Sequence, residues 1–267
     1  MRWPDYCLLR NILGILKRAA GKVIVEERQG GAPANGIIRR AVEAEWGALL
    51  GDVRGRLVER RLAGMSFTVV GTFLVLVFHI AQHLPGGEQF VSRAGVVRAA
   101  QPMDISLLRT PLSLFVPALD LPVWGALAQV FVVFGIAELV LGLRMTLFVG
   151  YAGTLAGTFF TRLGVARGSG HLFHLPAWFA QVRDAGPSAA VVALVLCVAW
   201  RYRAWFTGVT VVVMMVGEAI ALPNLAGLEH LAALAAAALI ASVDQVVRTF
   251  YRRISEVIPQ VSDLAVF

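Results

Sequence analysis

Nineteen consecutive residues of this chain, Gly64 to Gln82, carry no formal charge. Coiled as a helix rising about 1.5 Å per residue, such a run roughly crosses a hydrocarbon layer of about 30 Å. Five more apolar stretches follow it: Pro122–Leu141, Met145–Phe160, Gly186–Trp200, Trp205–Leu222 and Ala226–Val243. The second is interrupted only by Glu138, and the fourth is the shortest. Between the first two lies a mixed stretch, His83–Leu121, carrying Arg93, Arg98, Asp104, Arg109 and Asp120. Its amphipathic piece around Leu107–Leu119 reads as an interfacial loop or a partly inserted hairpin. Ahead of the first run the chain is polar and turn-rich around Gln29–Gly36, with short basic helices predicted over Ile37–Gly51 and Asp52–Leu62. The pattern predicts an all-α, polytopic bundle of six transmembrane helices over residues 64–246. A basic juxtamembrane region, 1–63, precedes it and a tail, 247–267, follows.

Composition agrees with lipid-facing surfaces. Residues are 58% hydrophobic and 15% charged, whereas soluble domains carry about 25% charge. The net charge of +7 is uneven, for twelve of the 24 lysines and arginines precede residue 64. Beside an apolar run, such a cluster faces anionic lipid headgroups and sets topology rather than binding nucleic acid. An even number of spans puts both termini on one side, expected to be the cytoplasmic face of the plasma membrane. Arg144, Arg201 and Arg203 then lie in turns on that face. Arg93, Arg167 and Arg183 lie in outward loops, so the positive-inside bias is one of density. Arg10, Lys17 and Arg18 break the first short apolar run, which does not read as a cleavable leader. Cys7 and Cys197 are too distant in sequence and setting to suggest a disulfide framework. With no glycine-rich nucleotide loop in the sequence, no cofactor is expected.

Polar groups within apolar spans are costly and therefore informative. Ser188 opens the fourth run in Gly186-Pro187-Ser188-Ala189, and His230 lies just inside the sixth. In a six-span topology both helices start from the outer side, so the two residues share a shallow depth. A serine hydroxyl becomes nucleophilic when a histidine takes its proton. Gly186 and Pro187 form a suitable helix start. There, unpaired N–H groups, including that of Ala189, could stabilise an oxyanion. Gly153-Thr154-Leu155-Ala156-Gly157 in the third run allows close helix approach. Glu218, inside the fifth run, is expected to pair with an arginine or histidine, or to lie protonated in a cavity. His171 and His174 could be joined by Asp184 or Glu229, too few ligands to predict a metal site.

These residues resemble the rhomboid family of intramembrane serine proteases, over roughly residues 107–242. Rhomboids carry Gly-x-Ser-Gly at the fourth helix, similar to Gly186-Pro187-Ser188-Ala189. Their sixth helix carries Gly-x-x-x-Ala-His-x-x-Gly, to which Ala226, His230 and Ala233 correspond. The end of their second helix is similar to Phe134-Gly135, Glu138, Leu141-Gly142 and Arg144 here, one residue shorter. The resemblance implies a Ser188–His230 dyad cleaving transmembrane substrates in a bacterial plasma membrane, with Glu138, Arg144, Gly153 and Gly157 structural. Active rhomboids also place His-x-x-x-Asn on the second helix. Val123 and Leu127 occupy those positions here, and Gln129 is the only amide of that span, as in a divergent bacterial branch. The alternatives are a rhomboid-like protein that binds transmembrane helices without cleaving them, and a small transporter component using Glu218.

Overall fold

The computed structural model describes residues 33–119, 121–167, 175–222 and 224–257. Backbone contacts divide the chain into two compact units, Met1–Ala44 and Glu45–Phe267. Helix α1, Pro33–Arg60, contributes to both. Gly51 and Asp52 do not break it into the two helices predicted from sequence, because an interior glycine costs a helix only about 1 kcal/mol. Pro33 to Gly36, expected in a turn, form its start, where proline's missing N–H is harmless.

The regular elements of the second unit are all helices among the described residues. A 3-10 turn, Arg61–Met65, leads into α2, Ser66–Gln82. Two short helices, α3 (Gly87–Gly95) and α4 (Met103–Ser113), make the mixed stretch a hairpin, as its amphipathic pattern suggested. Helix α5 spans Val123–Leu141 and contains a π-helical turn over Val130–Phe134. After Gly142, whose φ of 85° favours glycine, α6 runs over Leu143–Ala166, six residues past the predicted end of its apolar run. Then come α7 (Ser188–Tyr202), α8 (Trp205–Ala221) and α9 (Leu225–Val257). Helix α9 carries its charged end well beyond Val243, so residues 247–257 are helical.

Among the described residues, three helices are long and apolar enough to cross a membrane: Ile38–Gln82, Val123–Leu141 and Leu225–Ser255. Helices α7 and α8 are apolar but shorter. The outer surface is correspondingly greasy, with Phe73, Trp124, Phe206 and Ile220 all largely exposed.

Helix α7 is apolar on every side, and a helix of that kind has to be buried. Ala190, Ala193, Leu194, Cys197 and Ala199 are all enclosed. The densest packing joins α7, α6 and α9. Small residues permit it. A Cβ added at Gly153 would lie 2.7 Å from Ala193 Cβ and 3.6 Å from Ala233 Cβ, so that glycine holds α6 against both neighbours. One added at Gly157 would lie 2.9 Å from Glu229 Cβ.

Carboxylates finish two helix starts. Glu138 of α5, buried, accepts hydrogen bonds from the N–H groups of Phe67 (3.0 Å) and Thr68 (2.8 Å) and from the Thr68 hydroxyl (2.8 Å). These are among the orphan donors at the positive end of α2, where an anion is favoured. Glu45 does the same for α8, accepting from Thr207 N–H at 2.7 Å and its hydroxyl at 2.9 Å. Trp46 Nε1 also donates to Thr207 at 2.9 Å, and the Tyr202 hydroxyl to Asp52 at 2.7 Å. Residues 45–52 of the region expected to be a separate juxtamembrane arm thus belong to the bundle. Arg144, expected to share Glu138's structural role, is exposed and forms no ion pair among the described residues.

Candidate active site

Ser188 is the first residue of α7, and the loop before it is fixed at several points. Val97 and Asp184 exchange backbone hydrogen bonds of 3.0 and 2.9 Å, and Gly186 N–H donates to Ser113 O at 2.8 Å. Gly186 has φ 127°, a conformation that disfavours any residue with a Cβ, so glycine is what lets the loop turn into the helix. Pro187 is buried and precedes the first helical residue instead of occupying that place, and its carbonyl accepts the bond from Val191 N–H at 2.8 Å. The N–H groups of Ser188, Ala189 and Ala190 are the remaining orphan donors of the helix start.

Helices α7 and α9 run parallel. Ala193 and Ala233 meet at Gly153, the Cys197 thiol donates to Ala237 O at 3.5 Å, and Trp200 Nε1 donates to Gln245 at 2.6 Å. The offset common to the first two pairs, carried back to the start of α7, sets Ser188 near the level of Leu228 and within one turn of His230 along the helix axis. Among the described residues, however, no hydrogen bond joins Ser188 to His230. The histidine ring is engaged elsewhere. Its Nδ1 lies 3.2 Å from Glu218 Oε2, on the neighbouring helix α8. Nε2 is buried and has no hydrogen-bond partner. Glu218 therefore takes the histidine among the partners its sequence allowed.

A second polar pair sits beside the first. Asp184, partly buried in the loop before Ser188, and Glu229, buried next to His230 in sequence, lie close enough for their side chains to interact. Thr158 Oγ1 donates to Asp184 at 3.0 Å, and Thr161 Oγ1 donates to Glu229 at 2.9 Å. Burial holds the Asp184 carboxyl above its ordinary range, partly offset by the Thr158 hydroxyl. The pair ties the serine-bearing loop to α6 and α9. Sequence offered both acids only as companions for His171 and His174, which lie outside the described residues. Among the described residues, no group of three or more histidine, cysteine, aspartate or glutamate side chains is placed to hold a metal ion.

Gln129 ends the first α-helical part of α5, half-buried, and its side chain makes no hydrogen bond among the described residues. The π-helical turn directly after it was not foreseen. Such turns insert one extra residue and often lie at functional sites.

No protein-family model matches this chain, and neither a curated protein nor a solved structure matches it.

Proposed function

We propose that this chain is a rhomboid-like membrane protein with six spans and cytoplasmic termini, acting as a serine peptidase on transmembrane segments of other proteins. The observation that carries the reading is the setting of His230. One ring nitrogen is held by a carboxylate, and the other is buried and unpartnered, on the helix packed against the one that Ser188 opens. A base oriented by a third group beside a nucleophile is the arrangement acyl transfer requires. In this reading Ser188 Oγ attacks a peptide carbonyl carbon and its proton passes to His230 Nε2. The oxyanion is met by the free N–H groups of Ser188, Ala189 and Ala190. Collapse breaks the C–N bond as His230 returns the proton to the leaving amine, and water then releases the acyl group by the reverse sequence. The Ser188–His230 contact closes on substrate binding, since catalytic hydrogen bonds are often loose without substrate.

A fluorophosphonate probe, which phosphonylates activated serines, tests this in detergent-purified full-length protein. Labelling is expected, and Ser188→Ala abolishes it. His230→Ala lowers its rate by at least about 10²-fold, the lower end of what a general base supplies. Glu218→Gln offers a neutral amide that can donate to Nδ1 and so favour the wrong tautomer, and it slows labelling as well.

A second reading rests on the missing Ser188–His230 hydrogen bond and on Val123 and Leu127 in place of oxyanion-binding side chains. It makes the protein a non-cleaving binder of transmembrane helices. A parent protein that melts cooperatively but takes up no probe supports this and sinks the peptidase.

A further inference from the structure

At the opposite end of α7 from Ser188, a cavity of about 440 Å³ opens between α7, α9 and the start of α8. Three guanidinium groups line it, those of Arg201, Arg203 and Arg248, against a single carboxylate, Asp244. Asp244 accepts from Arg248 Nε at 2.7 Å and lies 3.6 Å from Arg201 Nη1. That Arg201 nitrogen is buried and has no hydrogen-bond partner. The Arg203 side chain, exposed, has no partner among the described residues. One anion is thus shared by two cations beside a third that it does not reach, and a buried N–H is left without a hydrogen-bond acceptor. An unsatisfied buried donor is costly, and an anionic oxygen would remove that cost. Guanidinium forks match tetrahedral oxyanions well, and phosphate above all.

The rest of the cavity points to the source of that phosphate. Its floor is apolar, formed by Leu141, Met145 and Ala241. Trp200 and Trp205 stand edge to face at 5.6 Å beside it, and Trp205 and Phe206 continue as exposed apolar surface. The cavity also lies where α9 changes from an apolar run ending at Val243 to Asp244, Arg248, Arg252 and Arg253. A phosphate over acyl-like surface, flanked by indoles at an apolar-to-charged boundary, is the environment of a lipid headgroup.

We propose that this cavity is a binding site for the phosphate of an anionic phospholipid, with Arg201 and Arg203 as its principal ligands. The site is separate from Ser188 and stands whether or not the protein is a peptidase.

Full-length protein in nanodiscs of phosphatidylcholine, titrated with phosphatidylglycerol, is the test, read as bound lipid by native mass spectrometry and as melting temperature. Saturable phosphatidylglycerol binding is expected. Arg201→Gln weakens it about tenfold, the loss of one charge-assisted hydrogen bond. Arg93→Gln removes the same charge from an exposed position elsewhere and leaves it unchanged. Should Arg201→Gln fail to fold, Arg203→Gln, at an exposed side chain, provides the same comparison with a several-fold loss. Equal binding in the site variants and Arg93→Gln overturns the site. An equal melting shift from inorganic phosphate in pure phosphatidylcholine discs overturns the lipid assignment in favour of a free anion.

Discussion

Asp184 is the residue whose chemistry most directly governs where Ser188 sits, because it fastens the preceding loop to Thr158 and Glu229. Its raised pKa has a definite consequence for stability. The folded chain keeps the Asp184 proton to higher pH than the unfolded chain does. The stabilisation is complete below the unfolded carboxyl value of about 3.9 and is lost as pH rises through the folded value. Asp184→Asn holds the neutral form at all pH and retains an acceptor for Thr158. Its melting temperature should therefore fall less than the parent's between about pH 4 and pH 8, and should exceed the parent's at the upper end. Melting curves in detergent across that range check this, and an equally steep fall would remove Asp184 as the titrating group. Glu218 and His230 illustrate what sequence could offer at this scale. The presence of a carboxylate in one apolar helix and an imidazole in another was readable, and so was the need for a partner. The pairing itself depends on how α8 and α9 are rotated about their axes, which spacing along either helix does not encode.

Among the elements, α6 is the one whose side-chain choice is tightest. Gly153 faces Ala193 and Ala233, and Gly157 faces Glu229, so both neighbouring helices approach to backbone distance. Gly153→Leu forces them apart and should destabilise the fold by about 1–3 kcal/mol, the usual range for overpacking. Thermal or denaturant unfolding in detergent measures it, with Gly125→Leu, where an added Cβ meets nothing, as the neutral comparison. The small-xxx-small spacing made this contact legible in advance, because it is a local signature of one helix surface. Element ends were less legible. Helix α6 passes its apolar run because threonine and glycine dilute hydropathy without opposing helix within a bundle. Helix α1 runs through Gly51-Asp52 because a glycine weakens a helix without ending it. The roles of Glu138 and Glu45 at two helix starts required knowledge of which elements abut. A carboxylate that caps another helix leaves no trace at that helix in the sequence.

For the whole molecule, the apolar pattern gave the order of the helices because each apolar run contains at most one charged residue, whereas the stretches between them concentrate arginine and aspartate. It could not state which runs cross a bilayer, since α7 and α8 are short, and α7 gains its apolar surroundings from tertiary packing whereas α8 leaves most of its apolar side chains exposed. Reporter fusions decide the proposed arrangement. A reporter after Arg203 and another after Val257 should both report the cytoplasm, while one inserted at residues 168–174 should report the opposite side. A shared signal from all three would overturn the six-span arrangement.

The π-helical turn at Val130–Phe134 makes α5 a helix with two phases. Each α-helical residue advances the direction of its side chain by about 100°. The widened turn therefore sets the face of Gly135–Leu141 independently of the face of Val123–Gln129, as if two helices had been joined off-register. Removing one residue there would let the segment relax into a uniform coil and swing Glu138 by roughly that angle away from Phe67 and Thr68. The start of α2 would lose its anion while every hydrophobic residue of α5 remained. The length of this one helix, counted in residues, is thereby as much a part of the fold's specification as its polarity.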